Sequence, residues 1–221
     1  LKKEYDNQIF VNIKSKYGTH IETALDKQSH LKETLKIEKG GTEYYDTKDK
    51  VNKIINDVRN LPNHINKIFN DYEKIKKLSH LFNHHSCFIL GKEKAKFVAD
   101  EGSLKIKEVS YIHSESYASS SLKHGPFALL EKNFPVILLC PDDRFISKNL
   151  NAYEEIKSRN ANIITISNSL TRDNNILIPE NITFNHLLMI IPLQILAYEL
   201  SIQRGINPDM PRNLAKVVTV E

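Results

Sequence analysis

Four short runs of apolar residues constrain this chain more than any other feature: Cys87-Phe88-Ile89-Leu90, Val136-Ile137-Leu138-Leu139-Cys140, Ile163-Ile164-Thr165-Ile166 and Ile176-Leu177-Ile178. A strand with one wet face alternates apolar and polar residues, so a run that is apolar throughout has to be buried on both faces. A sheet covered on both faces needs helices above and below it. The intervening segments supply them: residues 94–113 and 150–158 read as helical, and an apolar helical segment follows over 186–204. Strand and helix in alternation imply right-handed crossovers and parallel strands. The predicted fold is therefore α/β, a three-layer αβα domain with a parallel sheet.

Upstream the texture differs. Val51, Ile54, Ile55, Val58, Leu61, Ile65, Ile68, Phe69, Tyr72, Ile75 and Leu78 recur at spacings of three and four, which is helical periodicity, and two helices are expected to meet at Pro62. Residues 1–50 are rich in Lys, Glu, Asp, Asn and Thr, carry the Gly40-Gly41 break, and offer little apolar surface to bury. The expected organisation is a polar leader or insertion over 1–50, a helical lead-in over 51–85, the α/β domain over 86–204 and a C-terminal tail over 205–221.

Composition excludes several classes of function. Thirty-one basic and 27 acidic residues leave a formal charge of +4, but the signs are interspersed, so no basic stripe argues for nucleic acid. The most apolar segment, 187–198, is about twelve residues long and contains Pro192 and Gln194, short of the ~20 that span a bilayer. It reads as a buried helix, not a membrane anchor. Leu1 is not an initiator methionine and no charged-then-apolar leader precedes the fold, which suggests a fragment of a longer chain rather than a secreted protein. The two cysteines, Cys87 and Cys140, each lie in a predicted core strand, in keeping with a reducing, cytoplasmic setting. His80, His84, His85 and Cys87 fall close enough together to suggest zinc, yet the helix is expected to end there and no second ligand pair follows, so no metal site is expected.

Three places carry side chains suited to chemistry. Glu101, Lys105 and Glu108 stand at i, i+4 and i+7 of a predicted helix and so share a face. Spacing alone makes them a solvated ion-pair stripe, each exposed pair contributing only ~0.3–0.5 kcal/mol. His124 sits in Lys123-His124-Gly125-Pro126, where glycine and proline force a short loop on which an imidazole is available as an acid or base. Lys216 lies in a polar stretch beyond the last apolar segment, where its amine is available for chemistry.

These motifs carry a resemblance. The runs from Glu101 to His113, Ser121 to Pro126 and Gly205 to Glu221 closely resemble the end of the isomerising glutamine–fructose-6-phosphate aminotransferases, and the similarity extends from about Val51 to Glu221. The resemblance implies the second of two sugar isomerase (SIS) domains in a chain that converts fructose 6-phosphate and ammonia to glucosamine 6-phosphate, without cofactor or metal. It implies that Glu108 moves the proton between C1 and C2, with Lys105, Glu101 and Ala215 binding the substrate. It assigns His124 to ring opening in the active site of a neighbouring subunit, hence a homodimer, and Lys216 to ring opening or an imine with the ketone. The implied partners are the glutaminase domain and the first SIS domain of a parent chain.

The departures from that pattern are specific. Ser119-Ser120-Ser121 stands where the family has a small-small-Glu sequence, and Gly91-Lys92-Glu93 where it has a glycine-arginine-glycine turn. The serine- and threonine-rich phosphate loop of the first SIS domain has no counterpart, apart from an echo in Gly18-Thr19-His20-Ile21 and Lys27, with Leu25 in place of the loop's serine. The chain alone is therefore expected to be inactive. The rival expectation is a non-catalytic sugar-phosphate-binding SIS module.

Overall fold

The computed structural model describes residues 42–169 and 172–213. The expectations for residues 1–41, including the Gly18–Lys27 echo, and those for Ala215 and Lys216 lie outside these. The chain divides into two compact units, Leu1–Ile55 and Asn56–Glu221. Of the first unit, the described residues include the opening turns of helix α1 (Thr42–Asn70), where Val51, Ile54 and Ile55 are exposed.

In the second unit, α1 is followed by α2 (Tyr72–Ser79), and then by β1 (Ser86–Gly91), α3 (Lys94–Ser110), β2 (His113–Ala118), β3 (Pro135–Leu139), α4 (Ile146–Lys157), β4 (Asn162–Ser167), β5 (Asn175–Leu177) and α5 (Asn185–Gln203). All five strands are parallel, in the order β2-β1-β3-β4-β5. The two-residue period of a strand splits each apolar run between two cores. Cys87 and Ile89 face the layer of α2, α3 and α5 with Ile137, Leu139, Ile164 and Ile166. Phe88 and Leu90 face the other side with Val136, Leu138, Tyr153 and Ile156, beneath α4. Each fully buried side chain of this size contributes about 1.5–3 kcal/mol, which is why the four apolar runs decide the architecture.

Two expectations are corrected. The helices do not meet at Pro62: α1 runs through it, and the chain breaks at Asp71. Proline removes one helical hydrogen bond, but external bonds hold the helix one turn earlier, where Asn181 Nδ2 donates to the Asp57 carbonyl at 2.9 Å and the Thr183 N–H to the Asp57 carboxylate at 3.1 Å. Leu61 and Ile65 also pack against the core there. Second, the helix predicted to 113 stops at Ser110, and His113–Ala118 is a strand. It is an edge strand with β1 as its sole neighbour, so it never needed an apolar run.

Helix α5 is 19 residues long and, by length and composition alone, apolar enough to cross a bilayer. Here Leu188, Met189, Leu193, Leu196 and Leu200 are buried within the core beneath the sheet. Buried Glu199 accepts a hydrogen bond from the Tyr72 hydroxyl, tying α2 to α5 and pushing the Tyr72 pKa up to about 12. Helices α3 and α5 approach closely at Gly102, where a Cβ would lie 2.6 Å from Leu193 Cδ1 and 3.3 Å from Ile89 Cδ1. Gly102→Val should therefore overpack this contact and lower the unfolding free energy by about 2 kcal/mol in urea titrations. An unchanged midpoint would show that the two helices are not held at that distance.

Candidate active site

Helix α3 buries Val98, Ala99, Gly102, Ser103 and Ile106 and turns its other side outward. On that outer side Lys105 Nζ lies 2.9 Å from Glu108 Oε2 and 3.6 Å from Glu101 Oε1, so the structure brings the three expected residues together. The side chains of Lys105 and Glu108 are each about one-third exposed, at 34% and 32%, enough for a substrate to reach the carboxylate. The Glu108 carboxylate raises the Lys105 pKa above the ordinary lysine value, with Glu101 adding to it and partial burial opposing. A carboxylate held against an ammonium is fixed in orientation, an arrangement that suits proton transfer to and from carbon.

His124 lies elsewhere. It ends a 3₁₀ turn, Ser119–His124, that follows the C-terminal end of β2, whereas Glu108 precedes that strand's N-terminal end. Six extended residues separate the two positions, about 17 Å at 3.3 Å per residue. The His124 turn is well fixed. Leu122 is buried, Ser119 Oγ donates to Asn149 Oδ1 at 2.8 Å, and Lys123 Nζ pairs with Glu155 at 2.6 Å. Gly125, at φ 138°, turns the chain abruptly into Pro126, and His124 is left exposed.

Strand order reverses between β1 and β3, so the crevice at their C-terminal ends is where open parallel sheets ordinarily bind ligands. Gly91 opens it, since a Cβ there would meet the Ala95 carbonyl oxygen at 2.3 Å. Glu93 follows at φ 52°, ψ −119°, a glycine-like conformation that costs a side chain about 1–3 kcal/mol. This is the position where the resemblance led one to expect a glycine. Lys92, Arg144 and Lys148 gather around the Phe145 ring at 5.3, 4.6 and 6.0 Å. Glu108 stands at the opposite end of the sheet.

The histidines and the cysteine near β1 do not converge among the described residues. Helix α2 ends at Ser79, so His80 and His84 share no helix face. His84 hydrogen-bonds Glu131 at 3.0 Å and packs against Phe134, while Cys87 is fully buried and desolvation pushes its thiol up to about 12. Two residues escaped the sequence analysis. Tyr111 caps α3 with φ 58°, and its hydroxyl accepts the Arg212 N–H at 2.7 Å, bringing the tail to the end of the Glu108 helix.

The SIS domain family matches residues 80–204. The chain belongs to that family. It is 54% identical over 171 residues to a probable isomerising glutamine–fructose-6-phosphate aminotransferase of Acanthamoeba polyphaga mimivirus, over 74% of this chain and 28% of that protein. It is 37% identical over 185 residues to the enzyme of the same name from Rhizobium leguminosarum bv. viciae, over 79% of this chain and 30% of the relative. The chain thus spans less than a third of the length of these curated relatives. Among solved structures, the C-terminal domain of glucosamine-fructose-6-phosphate aminotransferase from Francisella tularensis superposes with a TM-score of 0.67 at 30% identity, over 72% of this chain and 47% of that one.

The Lys105 ammonium offers a direct check on the site. Its folded pKa is raised, so the pair's contribution to stability is complete below the unfolded value and is lost as pH rises through the folded one. Glu108→Gln removes the largest cause, and the Lys105 titration, followed by NMR of a ¹³C-methylated side chain, should move down toward 10.5. No movement would mean that the two groups are not paired in solution.

Proposed function

We propose that this chain is the isomerase end of an isomerising glutamine–fructose-6-phosphate aminotransferase, with Glu108 as the proton-transfer base. The observation that carries this is the Lys105-held carboxylate on the outer side of α3, within a segment closely related to enzymes of that name. Ammonia adds to the C2 ketone of fructose 6-phosphate and water leaves, giving an imine. Glu108 takes a proton from C1, the C–H electron pair becomes the C1–C2 double bond, and the C=N pair moves to nitrogen, which takes up a proton from solvent. The same carboxylate returns the proton to C2, and the C1 hydroxyl releases its proton to solvent as C1 becomes the aldehyde of glucosamine 6-phosphate. No electrons leave the sugar, so the chemistry calls for no redox cofactor. Lys216 serves ring opening or a transient imine, and Ala215, Lys105 and Glu101 hold the substrate. Ammonia comes from a glutaminase domain and the phosphate site from a first SIS domain, both outside these 221 residues. A cytoplasmic setting goes with this proposal, since both cysteines are free and buried.

His124 acts in the site of a partner subunit. The strand's length between it and Glu108 supports this, because two side chains at opposite ends of β2 cannot hold one six-carbon sugar. In a two-fold dimer each active site takes Glu108 from one chain and His124 from the other.

The rival, a non-catalytic sugar-phosphate module, draws its support from the cations around Phe145 at the β1/β3 crevice. A mixing experiment decides between them. Full-length enzymes carrying His124→Ala or Glu108→Gln should each be inactive. After full subunit exchange, each heterodimer has one intact pair in its two sites, so it should recover up to about half of the activity per dimer and the mixture about a quarter. Verified exchange without recovery contradicts the shared site, and full activity in both single variants supports the module.

A further inference from the structure

The sequence ends two helices in the same left-handed backbone conformation but uses different residues to do it. Helix α5 stops at Gly205, φ 67°, in a Schellman arrangement: the Gly205 N–H bonds the Ile202 carbonyl and the Ile206 N–H the Ser201 carbonyl, at 3.0 and 2.9 Å. Glycine is the expected residue there, because only the backbone is at stake. Helix α3 stops at Tyr111, φ 58°, ψ 20°, with its N–H on the Lys107 carbonyl. A tyrosine in that conformation is strained, and strain of this kind persists where the side chain has other work.

The contacts of Tyr111 show what that work is. The Gly205 turn releases the chain from α5, and the tail crosses to the end of α3. There the Arg212 N–H donates to the Tyr111 hydroxyl at 2.7 Å, and the Arg212 guanidinium lies over the Tyr111 ring at 4.1 Å. One side chain thus holds Arg212 through both its backbone and its cation. Tyr111 is three residues beyond Glu108, and Lys216 is four residues beyond Arg212. Whatever course the chain takes after Arg212, four residues reach at most about 14 Å from the anchor.

We propose that Tyr111 is a positioning residue: it clamps Arg212 and so fixes, at the end of the helix that carries Glu108, the point four residues before Lys216 from which the chain continues. This rests on Glu108 and Lys216 belonging to one site, as proposed above, but the clamp itself is testable without any sugar. Glycine suits the backbone at position 111 better than tyrosine does, so Tyr111→Gly separates the cap from the clamp.

In the 221-residue chain, the Arg212 amide should exchange with solvent about tenfold faster in Tyr111→Gly than in the wild type, from loss of one hydrogen bond and one cation–π contact. Its Tm should be unchanged or higher. Tyr111→Phe keeps the ring and loses the hydroxyl, so its exchange should fall between the two, and it carries the same comparison if the glycine variant fails to fold. Carbodiimide coupling, mapped by mass spectrometry, reads the consequence: Lys216 should join to Glu101 or Glu108 in the wild type and much less in Tyr111→Gly. Equal Arg212 exchange in all three proteins overturns the clamp. Faster exchange with undiminished coupling overturns the positioning role. Neither outcome involves turnover, so a failure of the clamp is distinct from a failure of the proposed reaction.

Discussion

The candidate site depends on the close approach of α3 to α5 and β1 at Gly102. With no side chain there, the helix drops between Leu193 and Ile89, and that depth sets which of its faces is buried and which is open. Gly102 and Ile106 go inward as Glu101, Lys105 and Glu108 go outward. A carboxylate on a helix packed this way inherits the rigidity of the sheet, which a loop residue would not. The same packing sets where α3 ends, and with it where Tyr111 meets the tail.

Topology then separates the chemistry. Because β2 runs between them, Glu108 and His124 stand at opposite ends of one edge strand, and the β1/β3 crevice lies at the end without the carboxylate. In the proposed reading, a domain arranged so carries half of one site at its base and half of another at its rim. The proposed dimer, together with a first SIS domain, supplies the missing halves. The turn bearing His124 is braced by Ser119, Leu122 and Lys123, although no hydrogen bond to the imidazole is present among the described residues, which suits the proposed role in a partner subunit.

Much of the fold was legible in the sequence because burial on both faces leaves an unmistakable mark. Cys87–Leu90 and Val136–Cys140 could not have been anything but interior strands, and the alternation with helices followed. Strand β2 was hidden for the converse reason: the segment from His113 to Ala118 sits at an edge and stays polar, so its order comes from pairing with β1 and not from its own composition. Pro62 misled because its local penalty is real but smaller than the packing and hydrogen bonds around it. At the site, the i, i+4, i+7 spacing of Glu101, Lys105 and Glu108 foretold their shared face, and the structure adds the pairing distances. Tyr111 and Arg212 left no periodic signal, since contacts across 101 residues depend on tertiary structure alone.

The proposed role of the Glu108 carboxylate is to move the proton between C1 and C2. Solvent deuterium entering C1 of fructose 6-phosphate, followed by ¹H NMR in a full-length enzyme, measures that step without requiring glutamine hydrolysis. Glu108→Gln should slow the incorporation by at least ~10²-fold while the concentration of sugar giving half-maximal rate changes little. Incorporation at the wild-type rate in that variant would contradict the account.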